Sequence, residues 1–336
     1  MIADQVRPTH MALETAQAPQ AVARMLAANR PLLREVGKLI RSRSPSHLIT
    51  CARGSSDHAA SYLKYLSEIV LGIPCCSVGA SVVSIFGARL RLRDTLLISV
   101  SQSGRSPDIL AFQEEAKRAG VPAIALTNDE NSPLASGADI CLPLLAGPEL
   151  SVAATKTFIS SAVLLAALVA ASGEDERFNA AIENLPDDLR ASGELNWPDF
   201  EGAASKASSL YVLGRGYSLP MAEEAALKLK ETCAIHSEAY SAAEIMHGPM
   251  ELIQQGFPIL VLSGNNEAEA TTRANVERLE AAGANVFWPK HRETRHAALD
   301  PVTMIHSFYG SAERIAAMRG RNPDAPRLLK KVTETR

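Results

Sequence analysis

The sequence has few of the features that mark a secreted, metal-binding or nucleic-acid-binding protein. It contains only five cysteines, an odd number whose spacing matches no metal site. We therefore expect reduced thiols in a cytoplasmic protein. The formal net charge is −3, which implies neither a nucleic-acid partner nor a membrane partner. Short basic runs at Arg89–Arg93 and Arg314–Arg336 are interpreted as solvated surfaces.

The sequence also lacks a long hydrophobic run and a recognisable signal peptide. Its first residues, MIADQVRPTHMALE, are polar and charged rather than apolar. The most apolar segment extends from Ser161 to Ala171. Because a membrane-spanning helix needs about 20 apolar residues, this segment is predicted to be a buried core helix.

What is present is the pattern of an α/β protein. A chain of 336 residues predicts two domains of roughly 150 residues each, and an apolar content of 46% is enough for a real core. Two helices are predicted first, Thr9 to Asn29 and Pro31 to Arg41. Strands then alternate with helices, which predicts a parallel sheet with helices on both faces and ligands at the carboxyl ends of the strands. The predicted strands are His47 to Ala52, Cys75 to Val83 with its turn, Thr95 to Val100, Val121 to Thr127 and Ile140 to Leu145.

The second half of the chain repeats the first. The stretch LYVLGRGYSLPMAEEAALKLKE is similar to LITCARGSSDHAASYLKYLSE, and further matches follow at nearly the same offset. Such self-similarity indicates a tandem duplication. We predict N-terminal helices in residues 1–40, a first domain in 41–172, a helical linker in 173–199, a second domain in 200–322 and a tail in 323–336.

The stretch SVSQSGRSPD predicts a phosphate site. A buried strand leads into a tight loop, and a helix opens at Pro107, where proline is favoured. Backbone N–H groups at such a helix start bind anions, and Gly104 lets the backbone approach the ligand. The side-chain donors are Ser101, Gln102, Ser103 and Ser106. An ordinary polar turn is the alternative. The second copy, LSGNNE, has lost most hydroxyls, so the first copy is the predicted phosphate binder.

A second candidate stretch, Leu227 to Pro249, is rich in titratable groups. Glu224, Lys228 and Glu231 share one helical face by their spacing, which a solvated salt-bridge ladder would also explain. A polar loop is predicted next, and we interpret it as part of a site. That loop carries His236, Glu238, Tyr240, Glu244 and His247. No compact metal motif such as HExxH occurs, so we predict no metal. A phosphate cradle, a carboxylate, lysines and a histidine suit aldose–ketose chemistry on a sugar phosphate.

Five motifs, in order, carry a family resemblance over nearly the whole chain. They are SQSGRSPD, PELSVAATKTF, ALKLKE, HSEAYSAAEIMHGPMELI and DAPRLLKKVTETR. Together they resemble the isomerase half of glutamine–fructose-6-phosphate aminotransferase, also called glucosamine-6-phosphate synthase. The resemblance implies tandem sugar-isomerase (SIS) domains, each a parallel sheet flanked by helices. No cofactor is expected.

The resemblance also implies roles for individual residues. It places the phosphate on Ser101, Gln102, Ser103 and Ser106, with Ser55 and Ser56 nearby. Val152 and Ala153 would line the sugar through their backbone. Glu231 would transfer the proton, with Lys228 beside it, and Lys331 would bond to the ketose carbonyl. His247 would open the ring from the other subunit of a homodimer.

The chain departs from the synthase pattern in three ways. Arg53 and Arg105 stand where the synthase has a small and an acidic residue, and their positive charge is expected to tighten or reshape substrate binding. No cysteine nucleophile follows Met1, so we expect no glutaminase half. The sequence therefore favours the stand-alone SIS-type glucosamine-6-phosphate deaminases. Alternatives are a galactosamine-6-phosphate deaminase, a fructosamine-6-phosphate deglycase, or a non-catalytic sugar-phosphate sensor.

Overall fold

The computed structural model describes residues 7–331, and the last five residues of the predicted tail lie outside that range. The first half contains helices α1 (His10–Arg43), α2 (Ser55–Leu66), α3 (Ser81–Ser84), α4 (Pro107–Arg118), α5 (Pro133–Gly137) and α6 (Lys156–Gly173). Its strands are β1 (His47–Cys51), β2 (Cys75–Ser77), β3 (Thr95–Val100), β4 (Ala123–Thr127) and β5 (Ile140–Pro143).

The second half repeats this arrangement with fewer strands. Its helices are α7 (Glu176–Ser192), α8 (Pro198–Lys206), α9 (Leu219–Lys228), α10 (Glu269–Ala281) and α11 (Asp300–Met318). Its strands are β6 (Ser209–Gly214), β7 (His236–Ser241), β8 (Pro258–Val261) and β9 (Asn285–Phe287). A π-helical turn, Leu229–Cys233, extends α9 toward β7.

Both sheets are parallel, as the alternating pattern predicts. The first has the order β2-β1-β3-β4-β5 and the second the order β7-β6-β8-β9. Strand β3 lies at the centre of the first sheet and is buried along its whole length. Cys51 at the end of β1 pairs with Ser99 near the end of β3, so the loops that follow these strands lie side by side. The tandem α/β fold is confirmed.

The helix predicted to break at Pro31 is continuous. Helix α1 contains Pro19 and Pro31, and the two-helix prediction is therefore wrong. Proline lacks an N–H, so Pro19 leaves the carbonyl of Thr15 without its helical donor. His306 of α11 lies with Nε2 3.0 Å from that carbonyl and Nδ1 2.9 Å from the hydroxyl of Ser192. Burial lowers the pKa of His306. A tertiary contact thus replaces the missing bond.

The apolar segment forms the central helix, as predicted. Helix α6 is long and apolar enough to cross a membrane by length and composition, but 89% of it is buried inside this fold. It packs against α1, α2 and α7, which come from both halves of the chain. A helix that is apolar all round is expected where neighbours cover every side.

The polar loop predicted after Leu227 is wrong in part, because its first six residues form strand β7. This strand lies at the edge of the second sheet. An edge strand with one open face can carry polar side chains without losing its backbone bonds. Ser237, which points inward, is buried and donates to the carbonyl of Ala226 at 2.7 Å. Short 3₁₀ turns, Glu244–Met246 and Pro249–Leu252, follow the strand.

Candidate functional site

Two helices begin side by side at the carboxyl edge of the first sheet. Helix α2 follows β1 and starts after Gly54, while α4 follows β3 and starts after Ser106. Neither N-cap side chain binds its helix start, but Asp108 accepts from Ile109 N at 2.9 Å, and Ser56 N and Asp57 N bond to the carbonyls of Arg53 and Gly54. The first N–H groups of a helix need an outside acceptor, and an anion satisfies them together with the helix dipole. The phosphate site predicted at this edge stays a prediction.

The loop between β3 and α4 is shaped by its own serines. The hydroxyl of Ser101 accepts from Gly104 N at 3.2 Å, and that of Ser103 accepts from Arg105 N at 3.3 Å. The carbonyl of Gln102 accepts from Asn128 N at 3.1 Å, which ties the loop to the end of β4. A hydroxyl that accepts one bond still has its hydrogen to donate. Both serines can therefore bind an anion without any change in loop shape.

Gly104 is needed for a second reason that the sequence did not show. Its φ is +61°, and a Cβ there would overlap the side chain of Ser132 and lie 2.9 Å from Oγ1 of Thr127. Gly104→Ala is thus expected to destabilise the protein by about 2–4 kcal/mol, since strain and overlap act together. Chemical denaturation measures the change.

Gly72→Ala is the matched control for that substitution. Gly72 has a similar φ, +68°, but a Cβ there would meet nothing within 4 Å. We expect it to cost only about 1–2 kcal/mol, the strain of the left-handed backbone alone. Equal losses in the two variants would contradict the role assigned to Ser132 and Thr127.

The two unusual arginines do not present free positive charge to the loop. The guanidinium of Arg53 binds the buried carboxylate of Asp108 in the first turn of α4. Arg105 pairs with Asp129 at 2.8 Å on the surface. Each charge has a local carboxylate partner, and the expectation that these arginines tighten or reshape substrate binding stays a prediction. Arg53 instead joins the β1–α2 loop to α4.

Glu224 is the centre of a buried polar network that joins the two halves. Its side chain is 0% exposed. Ser55 and Tyr309 each lie with a hydroxyl 3.2 Å from Oε1, and Nδ1 of His58 lies 3.0 Å from Oε2. Nζ of Lys228 is 3.3 Å from Oε1. The carboxylate therefore has partners from α2, α9 and α11, and Ser55 belongs to the predicted phosphate site.

Lys228 connects this network to Glu231. Its side chain is 1% exposed, and Nζ lies 2.6 Å from Oε2 of Glu231 and 3.1 Å from Oγ of Ser55. Burial alone would lower the pKa of Lys228, but Glu224 and Glu231 raise it. Burial would raise the pKa of Glu224, yet Lys228 and His58 hold it below its usual range. The three-residue face is confirmed; Glu224 and Lys228 are buried and Glu231 is partly buried, so it is not a solvated ladder.

Tyr309 shows that further carboxylates surround the same point. Burial raises the pKa of Tyr309 well above its ordinary value, and the charges of Glu224, Glu149 and Glu231 raise it further. The phenol therefore stays protonated and serves as a donor. Because Glu149 belongs to the β5–α6 loop, that loop also lies close to the network.

Lys331 lies against the β5–α6 loop. Its Nζ donates to the carbonyl of Ser151 at 2.6 Å and lies 3.5 Å from Oε2 of Glu149. Val152 N lies 3.4 Å from the carbonyl oxygen of Asp324, and Ala153 is buried. The predicted sugar-lining residues and the predicted carbonyl-binding lysine thus lie together.

Glu231 also faces open space. Its side chain is 23% exposed and lines a cavity of about 650 Å³ whose opposite wall is the chain from Gly320 to Leu329. His247 is exposed beside the 3₁₀ turn Glu244–Met246. In residues 7–331, no side-chain hydrogen bond joins it to the groups above. One chain therefore brings Ser55, Lys228 and Glu231 together and, separately, brings Lys331 to the loop of Val152, while the role predicted for His247 stays a prediction.

Three residues of the network were missed as functional candidates. His58 and Glu149 lie within motifs that the sequence singles out, RGSSDHAA and PELSVAATKTF, so their position was a usable signal. No sequence signal marked Tyr309 as a candidate, because 85 residues separate it from Glu224. Ser56 is placed at the first turn of α2, where its N–H bonds to the carbonyl of Arg53 at 3.1 Å.

Comparison with known proteins identifies the family of this chain. Residues 42–171 and 204–287 match the SIS domain family. A glutamine–fructose-6-phosphate aminotransferase of Aeropyrum pernix is 32% identical over 358 residues, which cover 96% of this chain and 57% of that protein. The corresponding Pseudomonas putida protein is 34% identical over 314 residues, which cover 84% and 50%. The chain spans about half the length of these curated relatives.

Solved structures give the same result. A candidate phosphosugar isomerase of Silicibacter pomeroyi has 44% identity and a TM-score of 0.91, with 94% of this chain and 100% of that chain covered. The glucosamine-6-phosphate deaminase of Thermotoga maritima shares the fold at 22% identity, with a TM-score of 0.70 over 93% of this chain and 98% of its own. The match to the family extends over both sheets, and the chain belongs to the SIS domain family, with two SIS segments in tandem.

Proposed function

We propose that this protein is a stand-alone SIS-type deaminase that converts glucosamine 6-phosphate and water into fructose 6-phosphate and ammonia. One observation carries the proposal: Nζ of Lys228, fully buried, bridges Glu231 at 2.6 Å and Ser55 at 3.1 Å. A potential base is thereby held near Ser55, a residue of the predicted phosphate site. A proton-transfer group next to a phosphate anchor is what isomerisation of a sugar phosphate requires.

In the first step the phosphate binds at the starts of α2 and α4. The hydroxyls of Ser101, Ser103 and Ser106 would surround it, with Gln102 and Ser56 at the rim. His247 of a partner subunit would move a proton on and off the ring oxygen, which opens the ring. The exposure of His247 supports this homodimeric arrangement.

In the second step Glu231 takes the proton from C2 and returns it to C1. The C1 aldehyde becomes a hydroxymethyl group and the C2 amine becomes an imine, as the C1 oxygen gains one proton and the amine nitrogen loses one. Lys228 orients the carboxylate by its 2.6 Å bond. Val152 and Ala153 would line the sugar through their backbone.

In the third step the imine is exchanged. Nζ of Lys331 bonds to C2 and ammonia leaves; water then adds to C2, and the carbon–nitrogen bond to the lysine breaks to give the ketose. Reaction toward ammonia consumes only water besides the sugar phosphate. The same residues would serve a galactosamine-6-phosphate deaminase or a fructosamine-6-phosphate deglycase, which differ at C4 or at the amine.

A non-catalytic sugar-phosphate sensor is the candidate of another class. A sensor needs the phosphate cradle alone, whereas this chain also buries an ion-pair network at considerable desolvation cost. That network favours an enzyme. We place the enzyme in the cytoplasm, in keeping with five cysteines that are all free thiols.

The test is a substrate panel with the purified full chain. Ammonia and fructose 6-phosphate are measured with glucosamine 6-phosphate, galactosamine 6-phosphate and a fructosamine 6-phosphate. We expect turnover of the first substrate at a rate typical of enzymes, about 1–10³ per second. Preference for another substrate selects the corresponding alternative. Tight binding of a sugar phosphate without any turnover would favour the sensor.

A further inference from the structure

The start of helix α1 holds the C-terminal segment of the chain. The carboxylate of Asp324 accepts from His10 N at 2.7 Å and from Met11 N at 2.8 Å, so it caps α1 from 313 residues away. A carboxylate at a helix start gains both hydrogen bonds and the helix dipole. Asp324 lies seven residues before Lys331. The cap therefore fixes the segment that carries the lysine.

One turn further along, α1 also holds the β5–α6 loop. The carboxylate of Glu14 accepts from Leu150 N and from Ser151 N, the latter at 3.3 Å. Glu14 is buried, and burial raises its pKa, with the charge of Glu149 adding to the effect. A buried carboxylate in such a position needs these donors. The loop is therefore tied to α1 as firmly as the tail is.

The two held segments meet at the lysine. Val152 N lies 3.4 Å from the Asp324 carbonyl, and Nζ of Lys331 donates to the Ser151 carbonyl at 2.6 Å. The C-terminal segment and the β5–α6 loop, which meet at Lys331, are therefore both held by the first two turns of α1. Without these hydrogen bonds, ordering the tail would cost conformational entropy each time substrate binds.

We infer that Asp324 and Glu14 are positioning residues that set Lys331 against the loop containing Val152. This inference rests on the proposed role of Lys331 in bonding to C2. It adds that the N-terminal helix, which contributes no residue to the chemistry, decides where the lysine stands. The carboxylate that caps the start of α1 is that of Asp324, from the same chain.

The experiment compares Asp324→Ala, Asp324→Asn and Glu14→Gln with the wild type in the full chain. We expect Asp324→Ala to lower kcat for ammonia release by about tenfold to a hundredfold, because the lysine is misplaced rather than lost. KM should change little, since the phosphate loop is untouched. Asp324→Asn keeps one acceptor oxygen, so its kcat should lie between those of the wild type and Asp324→Ala. Glu14→Gln should have a kcat similar to that of Asp324→Asn.

A covalent readout separates positioning from simple loss of stability. Fructose 6-phosphate is added with cyanoborohydride, which reduces the imine on Lys331 to a stable secondary amine that peptide mass spectrometry detects. The trapped fraction should fall in parallel with kcat in Asp324→Ala. Thr9→Ala is the matched control: it removes the side-chain cap on Ala12 N, 3.1 Å away, without touching Asp324. We expect Thr9→Ala to leave kcat and trapping unchanged.

The possible outcomes are distinct. Wild-type trapping at Lys331 that persists fully in Asp324→Ala overturns the inference and leaves the proposed function intact. An equal loss of kcat in Thr9→Ala also overturns it, because fraying of α1 would then be sufficient. No ammonia release by the wild type contradicts the proposed function itself.

Discussion

Glu231→Gln is expected to reduce ammonia release from glucosamine 6-phosphate by about a hundredfold to ten-thousandfold, the range for loss of a general acid–base group. The amide has nearly the same shape and can still accept from Lys228, whose Nζ lies 2.6 Å from Oε2. It cannot accept and return a proton. The loss should therefore appear in kcat, with KM for the sugar phosphate nearly unchanged.

Glu244→Gln is the control for that substitution. Glu244 is an exposed carboxylate in the 3₁₀ turn before His247 and belongs to the same stretch of sequence. It should retain wild-type kcat. A sharper check is exchange of the C2 hydrogen with solvent in the absence of net turnover. If Glu231→Gln exchanged that hydrogen as fast as the wild type, another group would be the base.

Lys228→Met is expected to give the largest loss of stability, about 3–5 kcal/mol in the free energy of unfolding, because it leaves a buried carboxylate without its counter-ion. Glu224 is 0% exposed and would keep only the neutral or polar donors Ser55, His58 and Tyr309. Urea denaturation monitored by fluorescence measures the change. Activity should be lost as well, since Glu231 would no longer be oriented.

The next lysine in the chain provides the matched control. Lys230 is exposed, so Lys230→Met should change stability by less than about 0.5 kcal/mol. The double variant Lys228→Met/Glu224→Gln removes both charges and should recover part of the lost stability, because no uncompensated charge remains. If Lys228→Met were as stable as Lys230→Met, the buried pair would contribute nothing to folding.

The contribution of the pair has a defined pH window. The folded-state pKa of Lys228 is raised. Its contribution to the free energy of unfolding is therefore complete below about pH 10.4, the ordinary lysine value, and is lost as the pH rises through the folded-state pKa. The folded-state pKa of Glu224 is lowered, so its part is complete above about pH 4.3 and is lost as the pH falls. The difference between Lys228→Met and wild type should therefore be largest near the alkaline limit and should shrink toward the acid limit, because burial raises the pKa of Glu224 once Lys228 is gone.

Much of the local structure was predictable because it depends on short-range periodicity. The strand Thr95–Val100 and the helix start at Pro107 have the bounds expected from an apolar run and from proline chemistry. The spacing of Glu224, Lys228 and Glu231 places them on one face in any helix. The internal repeat determined that there would be two similar sheets.

The predictions that were wrong concern contacts between distant segments. Proline at position 31 gives a local signal to end a helix, yet α1 continues because it packs along α6. The partners of Arg53 and Arg105 were not predicted: Arg53 pairs with Asp108 in the first turn of α4, and Arg105 pairs with Asp129 after β4. A sequence pattern reports the period of a segment but not which partner reaches it.

The sequence by itself determined the parallel α/β architecture, the strand and helix start on either side of the Ser101–Ser106 loop, and the order of the charged residues along α9. Only the tertiary structure decided that Lys228 and Glu224 are buried, that Tyr309 and His58 complete their network, and that Lys331 stands on Ser151. The reason is physical. Helical and strand periods are set by neighbouring residues, whereas burial and the partners of a charge depend on which remote surfaces pack against it.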